Sequence, residues 1–187
     1  MDLIIAKVKE GDKNAFAVLI NEHKAMAFTL ALKLMQNRED AEEVAQDAFV
    51  KAYKNINRFE GKSKFSTWLY TIVYNSALTQ LRKKKISTVD LDNHSESYNR
   101  SFEGSEKGWY SLKREERSTF IKEAMATLSK EDQVVITLFY LNENSTREVS
   151  EITGWELPNV KVRLHRARKR LLVALEDILD TEVRSLL

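Results

Sequence analysis

The chain contains no cysteine. A disulfide scaffold, a zinc ribbon, an iron–sulfur cluster and a thiol nucleophile are thereby excluded. Only five glycines and one proline occur in 187 residues. They build neither of the common Gly-rich phosphate loops. So few helix breakers, beside abundant Ala, Leu, Lys and Glu, point to an all-α chain. The longest apolar run, Ala25 to Met35, is short and carries Lys33, so no membrane insertion is expected. The N-terminus lacks the basic, apolar and small-residue order of a signal peptide, which makes the cytoplasm the expected location.

Enzyme chemistry finds little to work with. The three histidines, His23, His94 and His165, share no metal-ligand spacing. Carboxylates lie on helix faces, with nothing to mark one as a general acid or base. The chain is therefore expected to be no enzyme, with no cofactor, no metal and no small-molecule substrate.

Charge is informative through its distribution. The net charge is +2, yet residues 1–85 carry +5, residues 86–117 carry −2 and residues 118–187 carry −1. Within the last block, Lys161 to Arg170 holds six Lys/Arg and no acid. Local patches decide nucleic-acid binding, so a near-neutral total does not argue against it.

Apolar spacing divides the chain into two helical domains, 1–85 and 118–187, joined by a flexible linker, 86–117. In the first, the pattern predicts helices over about 2–11, 14–35, 40–57 and from Ser66 or Thr67 to the cluster Arg82-Lys83-Lys84-Lys85. The linker is rich in Ser, Asn and Glu and has no sustained period; its Trp109 and Tyr110 could dock on a partner. In the second, helices are expected over about 118–128 and from Ser129, a capping residue with Asp132 three positions on, to about Leu141. Ser145 and Glu148 form a capping box for a short helix to Thr153, and Gly154 suits the left-handed residue that ends it. Pro158 fits the first turn of a last helix. Short helix, Gly-containing turn and basic helix make the helix-turn-helix pattern.

Three constellations stand out. The last helix places Val160, Leu164, Ala167, Leu171 and Ala174 on one stripe. Lys161, His165, Arg168 and Lys169 lie opposite, flanked by Arg166 and Arg170, with the apolar Val162 among them. Phosphate neutralisation explains the charge and a thymine methyl could meet Val162; a solvated basic face is the plainer alternative. The third helix gathers Asp40, Glu43 and Asp47 with Gln46 and an exposed Val50, a face suited to a basic protein partner. Acids near a helix N-terminus also simply favour the dipole. The fourth helix is apolar on two sides, with Leu69, Tyr70, Val73, Tyr74, Ala77 and Leu81 forming a broad core face. The opposite face presents Trp68, Ile72, Asn75, Thr79 and Arg82, beside Arg58, Lys62, Lys64 and the basic cluster. Rings with Lys and Arg match single-strand binding; a two-sided core helix is the alternative.

The stretches Asp40-Ala-Glu-Glu-Val-Ala-Gln-Asp-Ala-Phe49, Phe59-Glu-Gly-Lys-Ser-Lys-Phe-Ser-Thr-Trp-Leu-Tyr70 with Asn75 and Leu81-Arg82, Glu148-Val-Ser-Glu-Ile-Thr-Gly154 and Asn159-Val-Lys-Val-Arg-Leu-His-Arg-Ala-Arg168 follow one another in order. Together they resemble the sigma-70 family of bacterial RNA polymerase sigma factors, in its extracytoplasmic-function class. The resemblance implies an alternative sigma factor that binds core RNA polymerase, recognises two promoter elements and promotes strand opening. It implies polymerase contacts at Asp40, Glu43, Gln46, Asp47 and Val50. Minus-ten contacts fall to Arg58, Lys62, Ser63, Lys64, Trp68, Asn75, Thr79 and Arg82. Minus-thirty-five contacts fall to Asn159, Lys161, Val162, Arg163, His165, Arg166 and Arg168. The sequence departs from the family at Thr79, often Asp there, at Thr71 and Tyr74, often Arg, at Ser150, usually Ala, and at Pro158-Asn159, commonly Gly-Thr. An anti-sigma factor is a further partner that the resemblance leaves open. Two other functions compete. A stand-alone helix-turn-helix repressor or activator would bind duplex tightly without polymerase. A helical protein-binding adaptor would show no salt-sensitive DNA binding.

Overall fold

The computed structural model describes residues 2–87, 118–141 and 143–185, and every regular element among them is helical. The expected linker, with His94, Trp109 and Tyr110, lies almost wholly outside the described residues.

Four helices build the first half. Helix α1 (Asp2–Lys9) buries Ile5 and Val8 and ends before Gly11, whose φ of 94° only glycine adopts at low cost. Asp12 then caps α2 (Lys13–Met35) by accepting from the amides of Asn14 at 2.8 Å and Ala15 at 3.1 Å. Helix α2 is long and apolar enough, by length and composition, to cross a membrane, which the shorter run read from the sequence did not suggest. Its apolar side is nevertheless spoken for: Phe16, Leu19, Ala27, Leu30 and Leu34 are buried in the bundle. Helix α3 (Arg38–Lys54) starts two residues earlier than the apolar pattern implies, because the Asn37 side chain accepts from the Asp40 amide at 3.0 Å. It ends earlier too, and a single 3-10 turn, Ile56–Arg58, follows. The buried side of α3 is mostly alanine (Ala41, Ala45, Ala48 and Ala52), which lets it approach α2 and α4 closely. Helix α4 (Phe65–Ser87) buries Leu69, Tyr70, Val73, Tyr74 and Ala77.

The second half begins with α5 over residues 118–126. Helix α6 (Lys130–Ile136) follows its Ser129 cap and runs into a wider π-helical turn, Thr137–Leu141, where a continuous α-helix was expected. The buried Asn144 side chain donates to the Leu138 carbonyl at 3.0 Å and so satisfies one acceptor that the widened turn exposes. Helix α7 (Thr146–Thr153) has the full capping box, and Gly154 ends it at φ 71°. Helix α8 (Leu157–Ser185) carries Pro158 in its first turn and buries Val160, Leu164 and Ala167.

The two halves share one apolar core. Helix α7 packs on α4, and α6 packs on α2. At this seam the Trp155 ring meets Tyr74 edge-on at 6.4 Å, and Lys64 pairs with Glu148 at 2.9 Å. Burial pushes the Glu148 carboxyl up, but hydrogen bonds from Lys64 and Ser145 outweigh it and hold it below the usual carboxylate range. Its contribution to stability is therefore complete above the ordinary glutamate value and is lost as pH falls through the lowered one. Replacing Ser145 with Ala removes the cap and should cost about 0.5–2 kcal/mol. The loss should shrink on acidification, as Glu148 protonates in both proteins. Thermal melts of the two proteins at neutral and acidic pH measure it; an equal penalty at both would contradict the shared network.

Candidate functional sites

Three surfaces collect the residues singled out above. The first is a cleft of about 380 Å³ between α3 and α4, lined by Lys51, Asn55, Arg58, Trp68, Ile72, Asn75, Ser76 and Thr79. Its floor follows from the turn that precedes α4. Phe59 and Phe65 are buried, and Trp68 packs against both, with ring centroids 5.4 and 5.8 Å away. Trp68 is thus only half-buried: it belongs to the aromatic cluster and also lines the open cleft. Arg58, Asn75 and Thr79 line the same cleft. Lys62, Ser63 and Lys64 stand outside the cleft lining, in the neighbouring loop. Lys62 pairs with Glu60, and Lys64 with Glu148 of α7. Arg82 is exposed two turns beyond Asn75.

Lys51 and Asn55 are cleft residues that the sequence pattern did not single out. Lys51 donates to the Ser76 hydroxyl at 3.0 Å and pairs with Asp47 at 3.1 Å. The signal was present in principle, since Lys51 lies one helical turn beyond Asp47, but only the packing of α3 on α4 turns it into the cleft. The lining combines an aromatic ring, amides, hydroxyls and two cations without an acid, which suits a base with its phosphate.

The second surface is the acidic side of α3. Glu43, Gln46, Asp47 and Val50 are exposed, Val50 at 49%. Asp40 is only partly exposed, because Lys84 of α4 binds its carboxylate at 2.5 Å. Glu43 accepts from the Gln80 side chain at 3.0 Å. The N-terminal part of the acidic face is therefore tied to α4.

The third surface is α8 with the turn before it. Asn159, Lys161, Val162, His165 and Arg166 are exposed, Val162 at 49%. Asn159, Val162 and Arg166 share a polar cleft of about 510 Å³ with Asp132, Trp155, Arg163 and Arg170. Arg163 and Arg168 are placed differently from Lys161 and Arg166. The Arg163 guanidinium lies over the Trp155 ring at 5.0 Å and donates to Asp132 at 3.1 Å. The Arg168 guanidinium lies over Phe139 and Tyr140 at 5.0 and 5.3 Å. Both guanidinium groups thus lie over protein rings, although Arg168 is itself exposed.

Two family models match the chain: Sigma-70 region 2 over residues 19–86 and Sigma-70, region 4 over residues 121–171. The chain is 35% identical to the ECF RNA polymerase sigma factor SigW of Bacillus subtilis (strain 168), over 93% of this chain and 96% of that protein. It is 28% identical to the ECF RNA polymerase sigma-E factor of Escherichia coli (strain K12), over 90% of this chain and 91% of that one. Among solved structures it is similar to the sigma factor RpoE of Bartonella quintana in complex with the anti-sigma factor NepR. That likeness has a TM-score of 0.68 and 25% identity, covering 84% of this chain and 96% of the other.

Proposed function

Because the chain belongs to the sigma-70 family, in its extracytoplasmic-function class, we propose that its three surfaces divide the work of transcription initiation. The chain is an alternative sigma factor whose partners are core RNA polymerase and promoter DNA. Residues 1–85 take the polymerase on the α3 face and the minus-ten element in the α3–α4 cleft. Residues 118–187 take the minus-thirty-five element on α8, and 86–117 connect them. Polymerase makes the bonds in the cytoplasm, and the chain contributes recognition and no catalysis. The likeness to a sigma factor held by an anti-sigma factor supports an inhibitory protein partner of that kind.

The α3–α4 cleft carries this reading furthest. An operator-binding repressor needs only its helix-turn-helix, and a protein adaptor needs no ring-and-cation cleft beside a basic cluster. The deciding experiment is run-off transcription by purified core polymerase from the DNA upstream of this chain's own coding sequence. Transcript should appear only when the chain is added. Duplex binding at full strength without polymerase would favour the repressor instead.

The α8 assignment has its own test. In the assembled holoenzyme, Arg166→Ala should weaken promoter binding similarly on all sequences and flatten the dependence of log K on log salt by about 0.9. Lys161→Ala should instead cost about 1–3 kcal/mol at one base-pair position, read from a panel of point-mutated promoters. If neither variant alters promoter use, α8 does not read the duplex.

A further inference from the structure

Among the described residues, Asp132 is the one buried acid, at 1% exposure. It occupies the third position of α6, where its amide donates to the Ser129 hydroxyl at 3.2 Å. Its two carboxylate oxygens face α8. Arg163 donates to Oδ1 at 3.1 Å and Arg170 to Oδ2 at 2.5 Å. These arginines are seven residues apart, about 10 Å along the helix. One buried carboxylate thus grips α8 at two points two turns apart. The two contacts add to the packing of Val160, Leu164 and Ala167 in fixing the rotation and slide of α8 against α6.

We propose that Asp132 is a positioning residue for promoter reading, holding α8 at the pitch from which Lys161 and His165 reach base edges. The clamp also commits Nη1 of Arg163 and of Arg170 to the carboxylate in place of a phosphate, while 39% and 61% of those side chains stay exposed. A helix that spends all six cations of Lys161 to Arg170 on the backbone binds every duplex more tightly and gains no discrimination, because phosphates carry no sequence. Arg163 is further occupied by the Trp155 ring, so the turn of the helix-turn-helix is tied into the same clamp. Arg163 accordingly acts as a positioning arm of α8, although it matches the family's minus-thirty-five segment. This inference rests on the assignment of α8 to duplex DNA.

The test uses holoenzyme assembled from core polymerase and the full chain. Two probes are compared: a duplex from the chain's own upstream region, and the same duplex with its minus-thirty-five segment shuffled. Asp132→Asn should steepen the salt dependence on the shuffled probe, by about 0.9 for each arginine released to a phosphate. The preference for the promoter probe should fall about tenfold, the loss of one discriminating contact. Arg170→Ala removes one arm and leaves the buried carboxylate with Arg163. It should lower the preference similarly while leaving the salt slope unchanged, because in the native protein Arg170 touches no phosphate. A slope flattened by about 0.9 in Arg170→Ala would make that residue a phosphate contact and overturn the proposal. An unchanged preference in that variant, or an unchanged slope in folded Asp132→Asn, would do the same. If circular dichroism shows Asp132→Asn to be unfolded, Arg170→Ala decides alone. Insensitivity to both Lys161→Ala and Arg166→Ala would instead remove the α8 assignment, and the clamp with it.

Discussion

On a linear promoter template, the double variant Lys62→Ala, Asn75→Ala should form open complexes at least about tenfold less well than the native chain. On a template whose minus-ten region is already unpaired, its transcription should return to the native level. The expectation comes from the α3–α4 cleft and the loop beside it. A base leaving the duplex loses its stacking and its hydrogen bonds. Stacking on a protein ring recovers roughly 1–3 kcal/mol per base, and Trp68 lines a cleft with Asn55, Asn75, Ser76 and Thr79. Asn75 is exposed on α4, and Lys62 is exposed and pairs with Glu60 of its own loop. Neither supports the core, so thermal stability and polymerase retention should stay near native. Trp68 and Lys64 are poorer choices for the same test. Truncating Trp68 would open a hole beside Phe59 and Phe65, and changing Lys64 would break its pair with Glu148. Permanganate reactivity of promoter thymines reads strand opening directly. Native reactivity in the double variant, or no rescue on the unpaired template, would mean that strands open elsewhere.

Most helices, the caps of α6 and α7 and the core stripes were legible because each rests on short-range chemistry. The Asp12 and Asn37 caps and the π-helical turn were not. Ser145 and Glu148 sit three residues apart and form the capping box their spacing implies. Gly154 takes the left-handed conformation that its place after Thr153 requires. Val160, Leu164 and Ala167 recur on one side of α8 and are buried together. The α3–α4 cleft was half legible. Arg58, Trp68, Asn75 and Thr79 belong to one stretch, but Lys51 and Asn55 enter it only because alanines bring α3 close to α4. What periodicity cannot report is the partner of a charge. A basic run reads as a surface for phosphate, yet Arg163 and Arg170 end on a carboxylate more than thirty residues away in sequence. The same holds for Lys64, which reads as a strand-following cation and lies against Glu148 across the seam between the halves. Asp132 reads as an ordinary first-turn acid; its burial is decided by α8 packing over it.

The double reversal Glu43→Lys, Asp47→Lys should abolish retention of core polymerase, lowering affinity by at least about thirtyfold. That figure takes the low end, about 2 kcal/mol, for losing one member of a charge pair at a protein interface. Both side chains are exposed on the same side of α3 as Gln46 and Val50. An exposed valine one turn beyond Gln46 and Asp47 costs little alone and gains on burial, which suits an apolar contact beside charged ones. Asp40 is left out of the reversal deliberately. Lys84 holds its carboxylate at 2.5 Å, so a lysine at that position would set two cations against each other and strain the α3–α4 packing. Glu43 and Asp47 have milder attachments, to Gln80 and Lys51, on exposed side chains. Helicity should therefore survive the change, and circular dichroism checks it. A charge-matched control reverses Glu10 and Glu22, exposed outside this face, and should keep polymerase binding near native. Loss in both proteins would reduce the effect to net charge. Retention of polymerase by the Glu43, Asp47 variant would leave the acids as a helix-dipole feature and place the polymerase contact on another surface of the chain.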